Sequence, residues 1–299
     1  MTSVAVVAHA GKSLGGGLGE LRDVLAREGF PDPLWYEVAK SRQAPKCARR
    51  ALVDGADLIF VWGGDGTVQR CIDAVAGKSA TIAILPAGTA NLLATNLGVP
   101  MELAEAVRVG LHGHRRPIDS GTVNGEHFAV MAGAGFDALM IKDADRGMKD
   151  RIGRAAYVWT GTKNLNAKRA KATIEVDGKR FFKGRVSCVL VGNVGQILGG
   201  IKAFKGARPD DGVLELGVVT AQNPLQWTRT LGRMALGSTG KSPFVHTTKG
   251  KKFTIGFDRR FPYELDGGAR PGATKLRVRV HPASLLICVP SAPTGGDDR

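Results

Sequence analysis

The chain has 299 residues, 43% of them hydrophobic and 23% charged, with 41 glycines and a formal net charge of +15. That length and apolar content suffice for one large or two modest cores and exclude the fibrous and disordered classes. The positive excess points to an anionic partner, whether nucleic acid, a membrane surface or a phosphorylated small molecule, without choosing among them.

The apolar run from Val4 to Ala10 has no basic residue before it and is too short for a secretory core, so it reads as a first strand. After SVAVVAHA come a helical LGELRDVLAREG, a strand DLIFVW, a helix VQRCIDAVAG, a strand TIAILP and a helix NLLATNLG. Short apolar runs alternating with helical patterns describe a parallel α/β layout. From about Val123 onward the pieces turn strand-like: EHFAVMAG, KATIEVDG, GRVSCVLVGN, GVLELGVVT and KLRVRV, separated by glycine-rich or polar turns. Two helices are predicted in this half. One is basic, from Met148 to Ala170, with Tyr157 and Trp159 among lysines and arginines; the other is apolar, from Pro224 to Leu236. The tail after Pro290 has the composition of a frayed terminus. Cys47, Cys71, Cys188 and Cys288 form no C-x-x-C pair, which argues against zinc and a disulfide framework and for a reducing cytosol. No segment approaches the length of a transmembrane helix.

Two turns stand out for chemistry. The strand DLIFVW delivers the chain to Gly63-Gly64-Asp65-Gly66-Thr67, whose glycines permit positive φ and leave main-chain N–H groups uncovered. Thr67 is placed to cap a helix beginning at Val68, and that helix N-terminus favours an anion. Asp65 stands where a Walker A loop has lysine, so it suggests a metal or a ribose rather than direct contact with phosphate. By itself such a loop is also a plain tight turn. A second turn follows strand TIAILP, Pro86-Ala87-Gly88-Thr89-Ala90-Asn91, 21 residues after Asp65. One helix and one parallel strand fill that interval, so a right-handed crossover places both turns at the carboxyl edge of one sheet, where ligands bind.

Together these residues resemble the catalytic domain of the diacylglycerol kinase-like lipid kinases, a family that includes sphingosine kinases. The resemblance rests on G-G-D-G-T followed by P-x-G-T-x-N, and it continues through Ile118-Asp119-Ser120-Gly121, Arg208-Pro209-Asp210-Asp211-Gly212-Val213-Leu214 and Tyr263-Glu264-Leu265-Asp266-Gly267-Gly268. It implies an N-terminal parallel-sheet α/β domain that binds nucleotide, followed by a C-terminal antiparallel β-sandwich. The expected boundaries are residues 1–122, completed by 283–299, and residues 123–282.

The activity implied is transfer of the γ-phosphoryl group of ATP, with Mg²⁺, to the hydroxyl of a lipid such as diacylglycerol or a sphingoid base. Carried over residue by residue, Gly63, Gly64, Gly66, Thr67, Gly88, Thr89 and Asn91 line the nucleotide phosphates, with Gly11, Lys12 and Ser13 able to join them. Asp65 and Asp119 belong to the catalytic metal network, and Asp266 is the base. A structural Mg²⁺ takes the Asp211 side chain and the carbonyls of Arg208 and Val213. From the residues alone, Asp266 reads first as a D-G-G hairpin turn and Asp211 as a turn ahead of a strand; only the resemblance gives them chemistry.

The sequence departs from the family pattern in three places: Ala8-His9-Ala10-Gly11-Lys12-Ser13 replaces N-P-x-S-G, Leu92 follows Asn91 where Asp is common, and Gly268 replaces a common Glu. Other readings remain open: a degenerate nucleotide- or lipid-binding regulator, or a phosphotransferase resembling NAD kinase. Nucleic acid is not the expected partner, because no aromatic-rich RNA motif or helix-turn-helix pattern accompanies the charge. The expected partner is a lipid at an anionic membrane surface, reached transiently from the cytoplasm through the basic helix and through charge at His114-Arg115-Arg116, Lys249, Lys251, Lys252 and Arg259-Arg260. Oligomeric state is left open, a homodimer among the options.

Overall fold

The computed structural model describes residues 2–135, 169–197, 201–235 and 242–291. The chain divides into two compact units, the first comprising the chain through Ile118 together with the segment from Ala283, the second Asp119–Pro282.

In the first unit the order is β1 (Val4–His9), α1 (Gly17–Arg27), β2 (Leu34–Val38), a single 3₁₀ turn at Ser41–Gln43, α2 (Ala44–Val53), β3 (Leu58–Gly63), α3 (Asp65–Val75), β4 (Thr81–Pro86), the short α4 (Leu92–Asn96) and α5 (Leu103–His112). Strands β1, β3 and β4 are buried along nearly their whole length, as continuous apolar runs covered on both faces should be. They pair in parallel in the order β2, β1, β3, β4. The far end of the last strand adds beside β4, with Leu286 opposite Thr81 and Ile287 opposite Ile82.

β2 and α2 are absent from the sequence-based expectation. Their signals are weak: LWYEV is half-exposed and has no clean alternation, and α2 carries Pro45 and a run of lysine and arginine around a narrow stripe of Ala44, Ala48 and Ala51. Such a stripe packs closely but scores poorly by hydrophobicity.

The second unit is mostly antiparallel. It takes in the end of β5 (His114–Val123), then β6 (Glu126–Phe128), β7 (Met131–Ala134), β8 (Ala170–Val176), β9 (Lys179–Val186), β10 (Cys188–Gly192), β11 (Gln196–Ile197), β12 (Ile201–Lys202), β13 (Leu214–Val219), α6 (Pro224–Ala235), β14 (Val245–Gly250), β15 (Lys252–Leu265) and most of β16 (Gly268–Val289). Strand order runs β14, β13, β10, β7, β15, and β8 joins β15 to the edge strand β9. One core gathers Phe128, Ile174, Val189, Leu216, Phe253, Leu265 and Val278. The expected apolar helix is found as α6. The expected basic helix, apart from its last two residues, lies outside the described residues, and Ala170 opens β8 rather than closing a helix.

Two expected single strands are each broken. EHFAVMAG divides at Ala129 and Val130, and GRVSCVLVGN divides at Ser187, whose hydroxyl donates to the Ala221 carbonyl. In the first case a side chain takes the main-chain donors that a neighbouring strand would otherwise receive.

Candidate functional site

In the first unit, three loops follow the carboxyl ends of adjacent parallel strands: residues 10–16 after β1, 63–67 after β3 and 86–91 after β4. The last two meet backbone to backbone. A Cβ built on Gly88 would stand 2.4 Å from the Gly64 Cα, so only glycine fits there, and one on Gly64 would stand 3.1 Å from the Gly88 Cα, a contact that the opposite backbone must yield to admit. Asp65 ties the same loops by accepting the Leu92 N–H at 2.5 Å, and burial pushes its carboxyl above the ordinary aspartate value. Leu92 is the first residue of α4, so the carboxylate from one loop caps the helix that leaves the other.

The Asn91 amide closes the second loop on itself. It donates to the Pro86 and Gly88 carbonyls, both at 3.0 Å, and accepts the Gly88 N–H at 2.9 Å. Its hydrogen-bonding groups are thus engaged by the loop. Thr89 stands exposed at the crest of the same turn.

Thr67 corrects a sequence expectation. Helix α3 begins at Asp65 rather than Val68, Gly64 is its N-cap, and no side chain caps it. The Thr67 hydroxyl instead meets the Ser41 hydroxyl at 2.9 Å, and the residue is 2% exposed. Thr67 therefore anchors the loop from below; its own N–H and that of Val68 turn back to the Gly64 carbonyl at 2.9 and 3.1 Å, and a helix start without a side-chain cap favours an anion. Ser41, which belongs to this support, carried no signal in the sequence. The first loop is pinned by Trp62, whose indole N–H donates to the Lys12 carbonyl at 3.1 Å, while the Lys12 and Ser13 side chains are exposed.

In the second unit, a chain of buried hydrogen bonds joins the other motifs. Asp119 is 2% exposed; its Oδ2 accepts the Gly212 N–H at 2.7 Å and its own N–H donates to the Pro209 carbonyl at 2.6 Å. It thereby fixes the turn that carries Asp211, an exposed residue whose Oδ1 accepts the Val213 N–H at 3.2 Å. Asn193 Nδ2 donates to the Asp119 carbonyl at 2.8 Å and to the Ala129 carbonyl at 2.9 Å. Asp266 lies at the other end. Its carboxylate accepts the N–H groups of Ala129, Val130 and Met131 at 2.9, 2.9 and 2.8 Å. Asn193 was read only as the end of a strand, and its role as the connector was not visible in the sequence.

This geometry bears on Asp266 directly. Asp266 and Gly267 have φ of 45° and 78°, the two left-handed positions of a tight hairpin turn joining β15 to β16. The hairpin reading describes its backbone, and the three main-chain donors describe its side chain. An acceptor hydroxyl would have to reach a carboxylate that already holds three donors, in a residue that is 3% exposed. The Asp266 carboxylate thereby holds the segment from Ala129 to Met131 in place.

Two residues earlier, Glu264 is 2% exposed and its Oε2 has no hydrogen-bond partner among the described residues. Burial, then the nearby charge of Asp266, pushes its carboxyl from the ordinary 4.5 up to about 7. Between those values the folded protein holds a proton that the unfolded chain has released, so stability falls as pH rises through that window. Urea unfolding is expected to show a loss on the order of 2 kcal/mol from pH 5 to pH 8 that Glu264→Gln removes. The same pH dependence in wild type and variant would refute it.

Mg²⁺ prefers hard oxygen donors and usually keeps several waters beside one or two carboxylates and substrate phosphates. Among the described residues no three His, Cys, Asp or Glu side chains gather to hold a metal. The oxygens present are of the right kind: the Asp65 carboxylate at the glycine loops, and the Asp211 carboxylate with main-chain carbonyls in its turn. They fit an ion that arrives with phosphates and water better than one caged by protein alone.

Residues 6–123 match the diacylglycerol kinase catalytic domain, and residues 130–289 match the YegS C-terminal NAD kinase beta sandwich-like domain. A Pseudomonas aeruginosa protein named "Probable lipid kinase YegS-like" is 32% identical over 251 residues, covering 83% of this chain and 82% of that protein. A Bacillus subtilis "Diacylglycerol kinase" is 29% identical over 236 residues, covering 77% of this chain and 78% of that protein. Among solved structures, a diacylglycerol kinase from Bacillus anthracis superposes with a TM-score of 0.76 at 25% identity, covering 96% of each chain. An NAD kinase from Archaeoglobus fulgidus, at 11% identity and a TM-score of 0.53, shares the fold.

Proposed function

The chain belongs to the diacylglycerol kinase catalytic domain family, and on that premise we propose that it transfers the γ-phosphoryl group of ATP to the hydroxyl of a lipid, of the diacylglycerol or sphingoid-base class. The observation that carries this reading is the contact of the two glycine loops at Gly64 and Gly88, tied by Asp65. It offers a surface without side chains, beside an uncapped helix start, where phosphates can approach main-chain N–H groups.

In this reading Gly64, Gly66, Gly88 and Thr89 receive the phosphates, and Lys12 and Ser13 approach them from the neighbouring loop. Gly63, Thr67 and Asn91 hold the loops in shape. Asp65 would hold Mg²⁺ together with the nucleotide, and Asp211 with the Arg208 and Val213 carbonyls would hold a structural ion. Bound Mg²⁺ would neutralise charge on the phosphate oxygens. Phosphoryl transfer passes through a loose transition state in which positioning and charge stabilisation dominate, so the reaction does not depend on a strong base at the acceptor hydroxyl. The chain's residues then need only align that hydroxyl and exclude water.

Labelled γ-phosphate from ATP, offered with Mg²⁺ to a panel of lipids in mixed micelles, tests the reading. Label is expected in a lipid, and Lys12→Ala is expected to raise the KM for ATP about tenfold, the effect of losing one charged contact to phosphate. Nucleotide binding with no lipid labelled would favour a binding regulator, and labelled NAD would favour an NAD kinase-like activity. An unchanged KM would remove Lys12 from the site.

A further inference from the structure

The outer face of the second unit's sheet is basic in a way that solvation alone does not explain. Strands β9, β8, β15 and β16 lie side by side, and residues directly opposite in antiparallel pairs share a face. In one row Lys171 faces Arg185. In the next, Lys183 and Lys275 flank Thr173 and Gly256, and in the third Arg180 and Arg277 flank Glu175 and Thr254. The six basic residues are exposed, and among the described residues none of their side chains forms an ion pair. The opposite face, with Ala172, Ile174, Phe253, Ile255, Leu276 and Val278, is core.

Like charges set directly opposite each other, as Lys171 and Arg185 are, destabilise a sheet. Lysine on an edge strand protects against edge-to-edge pairing, which accounts for β9. It does not account for Lys171 on β8, between two partners, or for Lys275 and Arg277 on β16. At the centre Gly256 contributes no side chain, and an open hollow of about 670 Å³ is lined by Lys171, Thr173, Lys183, Gly184, Arg185 and Gly256, with Phe257 and Asp258 at one end.

We propose that this sheet face is the surface by which the protein docks on an anionic lipid bilayer, the hollow receiving phosphate-bearing headgroups between Lys171, Lys183 and Arg185. The choice of a bilayer over other polyanions rests on the lipid-acceptor reading; the charge complementarity does not. Each basic residue near an anionic bilayer contributes about 1 kcal/mol, and the attraction fades beyond a Debye length.

The test is co-sedimentation with vesicles of phosphatidylcholine alone or mixed with phosphatidylglycerol, comparing wild type with a variant carrying Lys171→Glu, Lys183→Glu and Arg185→Glu. Affinity for the phosphatidylglycerol vesicles is expected to fall by more than a thousandfold in the variant, because each substitution removes an attraction and adds a repulsion. The corresponding triple glutamine variant should fall by less and should keep the wild-type thermal midpoint, since the side chains are exposed. Unaltered binding in both variants, equal wild-type binding to the two vesicle types, or tighter binding to duplex DNA than to vesicles at the same salt would overturn the proposal. Phosphorylation of short-chain diacylglycerol in detergent micelles stands apart as a measure of the kinase reading. Face-dependent binding without transfer would sink that reading and leave the surface standing, and transfer without face-dependent binding would do the reverse.

Discussion

Gly88→Ala is expected to lower lipid phosphorylation about a hundredfold, because displacing a phosphate-binding loop by roughly an ångström costs that much. The new methyl group would lie 2.4 Å from the Gly64 Cα and 2.6 Å from the Asn91 Oδ1. Neither neighbour is the free end of a flexible side chain. One is backbone, and the other is fixed by the Gly88 N–H. The two loops must separate, which strains the Asp65 hydrogen bond to Leu92 and opens the surface meant for phosphate. Overpacking of this kind costs about 1–3 kcal/mol in stability. Isothermal titration with an ATP analogue, alongside circular dichroism of the thermal transition, separates the two effects. A cooperative transition at a lowered midpoint, with nucleotide binding lost well below it, is the expected pattern, and wild-type affinity for ATP would mean that the loops do not hold the phosphates.

Asp266→Ala is expected to destabilise the second unit by on the order of 4 kcal/mol, because three buried N–H groups lose their acceptor at once and each unmet donor costs about 1–3 kcal/mol. Alanine also fits the left-handed backbone at this turn poorly, whereas asparagine tolerates it. Asp266→Asn is therefore the sharper variant. It keeps the backbone and one acceptor oxygen but sets an NH₂ against main-chain donors. A positioning role predicts an intermediate stability loss in urea and a fall in kcat/KM whose pH profile keeps its shape. Undiminished stability, together with loss of the acid limb of the pH profile, would instead restore Asp266 as the base.

The parallel half of the fold was legible where the sequence repeats a strong local signal. DLIFVW, GGDGT and TIAILP each announce themselves through a few neighbouring residues, and the crossover rule places the two turns together without any knowledge of side chains. What lay beyond reach was set by distance along the chain. Asp266 was singled out, yet its partners at Ala129 to Met131 are more than a hundred residues away, and nothing near either segment reveals the bond. Asn193, which links Asp119 to Ala129, is one more asparagine after a strand until the sheet is assembled. Ser41 is likewise an ordinary turn residue until Thr67 turns inward to meet it. The glycines were visible because their reason is local, and the supports were hidden because theirs is not.

The strand that completes the first unit has a consequence for how the protein is made. Arg115 and the Gly110 carbonyl engage Cys288, and Leu286 and Ile287 pair beside β4, so the chain from Ala283 is an integral part of that sheet. A ribosome delivers β1 to α5 well before this strand. Throughout synthesis of the second unit the β4 edge is an open template, liable to pair with another chain. Sealing it requires closing a loop of more than 150 residues, so the first unit completes its sheet only after the second unit has been synthesised.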